Sequence, residues 1–312
     1  MGATLSVVLP VFGLLGVGWA LARFRIIDAA GARGLGQIVL HALIPALLFR
    51  GITTGPGIGP NEFGVVAAFF VACLTLYGTG MIVARRFFAA GIDSQAFMAM
   101  STTFGNTVQM GIPLIVLAYG PKGETPLFAI ITFHSLILIT LTTVLIEVGQ
   151  RRGGGPLATL RKSMAALVTH PILMAMVVAI LWRQTGFTIP EVGDRFLAML
   201  SAGAGPMALI SLGTSLDGLK LGGDLRESLA VSALKLVAFP ILVWLIAAQV
   251  FQLPPLEVAV ATIAAAMPTG ANVFILARRY DLYLRRAASA VLISTVASVV
   301  TISIILTLLG PG

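Results

Sequence analysis

Gly105-Asn106-Thr107-Val108-Gln109-Met110-Gly111-Ile112-Pro113 interrupts an apolar run from about Ser94 to Tyr119. Met267-Pro268-Thr269-Gly270-Ala271-Asn272 interrupts a second such run, from about Pro255 to Tyr280. Each run is long enough to cross a bilayer, which takes about 20 residues, yet each carries Gly, Pro and Asn near its middle. In hydrocarbon such breakers are tolerated only where the freed backbone groups are buried in protein or face water. Two broken helices in matching halves of a chain are the mark of a carrier whose binding site lies near the midplane.

The rest of the chain agrees with a membrane protein. Of 312 residues, 58% are hydrophobic and 10% are charged, against roughly 25% charged in an average soluble domain. No water-facing shell is left over, so lipid is the solvent. The lone cysteine, Cys73, excludes an internal disulfide framework. A net charge of +8 does not indicate a nucleic-acid partner, because the basic residues fall between apolar runs rather than in one patch. Residues 1–22 lack the positive start of a cleavable signal peptide, and an inner (plasma) membrane location with multiple passes is expected.

Ten spans are expected, at about 4–22, 35–52, 62–84, 94–119, 125–148, 164–184, 194–216, 228–250, 255–277 and 287–309. Loops after the odd-numbered spans hold fifteen of the twenty basic residues; loops after the even-numbered ones hold four, Arg50, Lys122, Arg183 and Arg195. The positive-inside rule places the first set in the cytoplasm and both termini outside. Gln150-Arg151-Arg152-Gly153-Gly154-Gly155-Pro156 divides the chain into halves of five spans. Five is odd, so the second half enters from the opposite side and any structural repeat is inverted. Pro10 and Pro171 are 161 residues apart, as are Pro45 and Pro206, and Asn106 and Asn272 are 166 apart. The expected fold is thus all-α and integral to the membrane, with ten transmembrane helices as two inverted five-helix repeats. The divisions are 1–148, a cytoplasmic connector at 149–163, and 164–312.

A helix broken in mid-membrane exposes unpaired N–H groups at the start of its second half, and these with the aligned dipoles favour an anion. Asn106 and Asn272 add neutral donors and acceptors, or cap the helix ends; Asn also tolerates a left-handed backbone at a break. The candidate substrate-binding set is Asn106, Gln109, Gly111 and Pro113 at the first interruption, and Pro268, Thr269, Gly270 and Asn272 at the second. Lys235 lies inside the eighth span. A lysine there costs roughly 2.5–3.5 kcal/mol on insertion scales and ordinarily marks a pathway. It can supply a coupling or charge-compensating cation, release its proton when buried, or snorkel to the headgroups. His41, His134 and His170 occupy three different spans with no ligand spacing; no metal, cofactor or catalytic residue is expected.

Phe104-Gly105-Asn106-Thr107-Val108-Gln109-Met110-Gly111-Ile112-Pro113-Leu114 resembles the fourth-span motif of the auxin efflux carrier family. Ala266-Met267-Pro268-Thr269-Gly270-Ala271-Asn272-Val273-Phe274 is similar to its ninth-span motif, and His41-Ala42-Leu43-Ile44-Pro45-Ala46-Leu47-Leu48-Phe49 to its second. The resemblance implies fourth and ninth helices that cross, and a scaffold domain against which a transport domain moves, as in an elevator. It also implies organic-anion substrates: plant members export auxin, and bacterial ones are associated with malonate and malate. The large central loop of some plant members is absent here. A homodimer through the scaffold spans is compatible with this layout.

Other classes fit less well. A membrane-embedded enzyme needs a nucleophile with its base, or a metal cluster, and the sequence shows neither in mid-membrane. A channel ordinarily repeats its filter around an oligomer axis. A sodium symporter of the bile-acid type shares the general design, but sodium needs several oxygen ligands and neither interruption contains an acidic residue. The topology is open to test. A single cysteine at Gly154, in a chain lacking Cys73, is expected to resist an impermeant maleimide added from outside; efficient labelling from that side reverses the orientation.

Overall fold

The computed structural model describes residues 2–55, 60–150 and 170–310, and among them every regular element is helical. The helices are α1 (Gly2–Arg23), α2 (Ala29–Thr54), α3 (Pro60–Phe88), α4 (Ile92–Thr103), α5 (Ile112–Tyr119) and α6 (Glu124–Gly149). They continue with α7 (Pro171–Gln184), α8 (Glu191–Leu216), α9 (Leu225–Val250), α10 (Pro255–Ala266), α11 (Ala271–Tyr280) and α12 (Leu284–Leu309). Asp28 caps α2 by accepting the Gly31 N–H at 2.7 Å, and Asp224 caps α9 by accepting from Arg226 and Glu227, in each case satisfying an orphan first-turn donor.

Among the described residues, seven helical stretches are long and apolar enough to cross a membrane, and α7 and α10 are shorter apolar helices. The fourth and ninth of the ten expected spans were expected to be broken, and among the described residues they are. The expected fourth span is divided into α4 and α5, and the ninth into α10 and α11, at the two Gly/Pro/Asn interruptions. The connector expected at 149–163 falls, from residue 151 onward, outside the described residues, as does the start of the expected sixth span.

Three prolines reshape the helices that contain them. Pro45, Pro113 and Pro240 each lie two residues beyond a wide turn, at Val39–Leu43, Thr107–Gly111 and Leu234–Ala238 respectively. A proline within a helix removes one N–H, and its ring collides with the carbonyl four residues back. Here the chain widens instead: Ile44 N–H reaches Val39 O, Gly111 N–H reaches Asn106 O, and Phe239 N–H reaches Leu234 O, each five residues back. Prolines that are equally spaced in sequence do not share this role. Pro10 and Pro206 lie within unbroken α1 and α8, whereas Pro171 opens α7.

Packing sorts the helices into two groups. The first is α1, α2, α7 and α8, with α1 lying along α8 and the second half of α2 against α7. The second contains α3, α4, α6, α9, α10, α11 and α12; α5 lies between the groups against α1 and α8, and α12 also touches α1. Without a hydrophobic drive between helices in lipid, close approach depends on small residues. Gly18 and Gly213 provide it: a Cβ on Gly18 would sit 2.1 Å from Ile210 O, and one on Gly213 2.1 Å from Leu15 O. Arg50 adds a paired bond to Asp194 between α2 and α8, at 2.8 and 3.2 Å.

The start of α9 is fastened to the start of α12. Glu227, fully buried, accepts a hydrogen bond from the Tyr283 hydroxyl and pairs with Arg286 at 2.9 Å. Tyr283 holds a left-handed backbone (φ 66°) and stacks on Phe97 of α4, with ring centroids 5.7 Å apart. Burial first, and the Glu227 carboxylate second, push its phenol well above the ordinary pKa.

The α1–α8 contact generates a prediction. Gly18→Val or Gly213→Val is expected to lower stability by about 1–3 kcal/mol, the usual range for overpacking, read as a lower melting midpoint in detergent. Gly16→Ala, whose added Cβ meets nothing within 4 Å, is expected to leave the midpoint unchanged or slightly raised.

Candidate functional site

The two interruptions meet. Gly105 and Thr269 form an isolated antiparallel bridge, in which Asn106 N–H donates to Pro268 O at 2.9 Å and Gly270 N–H donates to Phe104 O at 2.8 Å. Each break thus satisfies backbone groups that the other leaves open, as a buried chain requires. Thr269 secures the bridge: its N–H donates to Ser294 Oγ at 3.0 Å, and its hydroxyl donates to Ser101 O at 2.9 Å. Gly270 allows the approach, since a Cβ there would lie 2.8 Å from the Phe104 ring and 3.2 Å from Gly105 O.

Beside the bridge is a cavity of about 120 Å³. Thr107, Val108 and Gln109 line it from the start of one half-helix, and Ala271 and Asn272 from the start of the other. The earliest intrahelical donors are Met110 and Gly111, both to Asn106 O, and Val273 to Gly270 O. First-turn N–H groups before them have no carbonyl within their own helix to reach. Two helix N-termini, each carrying roughly half a positive charge, therefore converge on one space. Asn106 and Gly270 complete this side; Ser135, His134 and His170 also line the cavity.

The expected site residues divide between cavity and framework. Asn106, Gln109, Gly270 and Asn272 line the cavity. Pro268 and Thr269 hold the bridge through the bonds above. Gly111 packs toward Met267, and Pro113 packs against Gly205 of α8. Neither asparagine uses a left-handed backbone or caps with its side chain. Asn106 has φ −79° and ψ 55° with no side-chain cap bond, while Asn272 lies inside α11 behind an extended Gly270. The asparagine side chains are accordingly not committed to helix ends.

Lys235 is completely buried, so it does not snorkel. It projects from the wide turn of α9, donates to Ala265 O at 2.6 Å, and has Nζ 4.6 Å from the centre of the Phe239 ring. Ala265 is in the last turn of α10, where carbonyls are unpaired and the dipole is negative. A Cβ on Gly105 would lie 3.2 Å from Nζ, which places the ammonium directly behind a cavity-lining residue.

Sequence reasoning left His134 and His170 aside because they lie on separate spans. The usable signal was a histidine in the middle of an apolar span, since ionisable residues there are expensive. His134 is 2% exposed.

Known proteins are similar to this chain along its length. A family model described as "Membrane transport protein" matches residues 4–306. A "Putative malonate transporter" of Rhizobium meliloti (strain 1021) is 26% identical over 321 aligned residues, covering 100% of this chain and 98% of that one. An "Uncharacterized transporter" of Methanothermobacter thermautotrophicus is 25% identical over 97% of each chain. "Auxin efflux carrier component 8" of Arabidopsis thaliana is 20% identical over 89% of each.

The bridge makes its own prediction. Gly270→Val places branched carbons against Phe104 and Gly105 O, so the two breaks cannot close on each other. Binding of any cavity ligand is expected to fall at least about ten-fold, equivalent to ~1.4 kcal/mol, measured by scintillation proximity on purified protein. Unchanged binding would show that the bridge does not shape the cavity.

Proposed function

This chain belongs to the auxin efflux carrier family of membrane transport proteins, and from that premise we propose that it is a secondary carrier of small organic anions working by alternating access. It is a transporter rather than an enzyme. The observation that carries the proposal is the convergence of two half-helix N-termini on one polar cavity. In this reading a carboxylate meets the first-turn N–H groups at 107–109 and 271–272, and Asn106, Gln109 and Asn272 orient it. Pro268, Thr269 and Gly270 keep the two breaks together, and Gly111 and Pro113 seat the first half-helix.

The cavity volume favours a short acid. At about 120 Å³ it is well below the ~300–1,000 Å³ of pockets that take drug-sized ligands. Malonate is the first acid to try, because a relative at 26% identity is described by that substrate. Lys235 supplies the compensating charge in this proposal. An anion at mid-membrane meets about half a charge per helix terminus, and a sodium symporter makes up the rest with bound ions. Here a buried ammonium already stands behind Gly105, and among the described residues no Asp or Glu lines the cavity. Transport is therefore sodium-independent.

The proposal extends to the whole chain. Ten spans form two inverted five-helix repeats, 1–148 and 164–312, joined by a cytoplasmic connector, in the inner membrane with both termini outside. The group α1, α2, α7 and α8 is the scaffold, and the bridge-bearing group moves against it. Support comes from the separation of contacts into those groups and the fifteen-to-four split of basic residues.

The test is counterflow of radiolabelled malonate in proteoliposomes, in potassium and in sodium media. Equal uptake in both is expected. Asn106→Ala and Asn272→Ala are each expected to weaken binding about ten- to a hundred-fold, the effect of losing a hydrogen bond to a charged group. Lys235→Met is expected to lose uptake. A strict sodium requirement, or normal uptake by Lys235→Met, would overturn the role given to the lysine; normal uptake by both asparagine variants would move the site elsewhere.

A further inference from the structure

A third helix begins at the cavity, and it comes from the other group. His170 and Ile172, on either side of Pro171, both line the cavity at the start of α7, and Val39, Leu40 and Ile44 of α2 line it as well. All five belong to the group of α1, α2, α7 and α8, whereas Asn106 and Gly270 belong to the bridge. His170 is the one polar side chain among the described residues of that wall. α7 is 14 residues long, and its earliest intrahelical donor is Met174, to His170 O at 3.0 Å. Pro171 has no N–H to offer. The first-turn donors of Ile172 and Leu173 therefore have no carbonyl within their own helix, and the His170 side chain does not cap them.

A separate observation calls for a ligand in this cavity. His134 lines it while only 2% exposed, and its Nε2 has no hydrogen-bond partner among the described residues. A buried ring nitrogen needs a partner whether or not it carries the proton. We propose that the start of α7, with His170, is a second carboxylate subsite. A short dicarboxylate then lies across the boundary, one end at the N-termini beside the bridge and the other at Ile172, Leu173 and His170. This rests on the reading of the cavity as the carrier's substrate site and adds the substrate class.

Each carboxylate needs donors of its own, because a second buried charge without a partner is costly. The half-helix starts at 107–109 and 271–272 answer the first. The second meets about half a positive charge at the start of α7 and two unpaired N–H groups. His170 adds an imidazole, which carries an N–H in either neutral tautomer. No Asp or Glu is among the described residues lining the cavity, so no like charge there opposes a dianion. The volume of about 120 Å³ keeps the two ends close, which favours the shortest diacids. α7 belongs to the group that stays fixed in the proposed movement. The second subsite is therefore complete only when the bridge stands beside α7, and α7 follows the cytoplasmic connector in the chain. Preference for a doubly charged substrate is thus a property of the cytoplasmic face.

Malonate and malonamate separate the possibilities, since malonamate keeps one carboxylate and replaces the other by a neutral amide of similar size. The readout is binding of each radiolabelled acid to purified protein, at a pH above the second ionisation of malonate. Wild-type protein is expected to bind malonate roughly ten-fold more tightly than malonamate. Asn106→Ala is expected to weaken both acids alike and keep that ratio. His170→Asp caps α7 with its own carboxylate, a strong capping group, so the melting midpoint is expected to hold or rise. That carboxylate occupies the first-turn donors, and the order is expected to reverse, with malonamate bound more tightly than malonate. In oriented vesicles, the malonate preference is expected in competition from the cytoplasmic face and not from the other. Equal binding of the two acids by wild-type protein leaves the carrier site standing and overturns the second subsite. So does a His170→Asp variant that keeps the wild-type order, or a preference that is equal from both faces. If neither acid binds, both readings fall.

Discussion

Backbone groups cannot be left unpaired in hydrocarbon, where each costs several kcal/mol, and this constraint decides how the molecule is built around its two breaks. A single broken helix would need water or a neighbour to satisfy it. Two broken helices that meet at their breaks satisfy each other, through Asn106 to Pro268 and Gly270 to Phe104. The pairing leaves the first-turn N–H groups of α11 and of the wide turn before α5 pointing at a common space. The polar cavity is thus a by-product of the solution to the backbone problem, and the side chains around it only refine what the main chain already offers.

Opposite ends of the broken helices have opposite electrostatic needs. The N-terminal ends attract an anion, whereas the C-terminal end of α10 presents unpaired carbonyls, and Lys235 answers one of them at Ala265. The same ammonium sits behind Gly105. One side chain therefore closes a helix end and stands directly behind a residue that lines the cavity. A glycine at 105 is what lets the charge come so near without entering the cavity itself.

How much of this was legible in the sequence varies by residue, for physical reasons. The breaks at Asn106 and Pro268 were plain because Gly, Pro and Asn clustered within an apolar run cannot sustain a regular helix. Their mutual pairing was not, since Gly105 and Thr269 are 164 positions apart and no local pattern encodes a bridge of two hydrogen bonds. Thr269 was expected to face substrate, yet its hydroxyl is occupied by Ser101 O; hydroxyl residues near a break serve the backbone as readily as a ligand. The burial of Lys235 depends on the course of α10 and α4, not on its position along α9. His134 and His170 lack ligand spacing, and only the folded chain brings them to one cavity. The equal proline spacings proved to be the least informative landmark, because the same residue opens one helix, lies within another and widens a third.

Those wide turns have a consequence for comparing relatives. A turn closed five residues back instead of four holds one residue more than the regular helix around it. Removing that residue would restore the regular ladder and leave the helix intact. What changes is the turn itself: with or without the extra residue it makes one circuit of the axis, so the side chains on either side keep their directions, while those within the turn fall back to steps of about 100° and point elsewhere. In an alignment of this family, a one-residue gap within 39–43, 107–111 or 234–238 is therefore a re-aiming event. Such a gap would swing His41, Gln109 or Lys235 around its helix with the fold unchanged, and substrate preference can diverge by a deletion as easily as by a substitution.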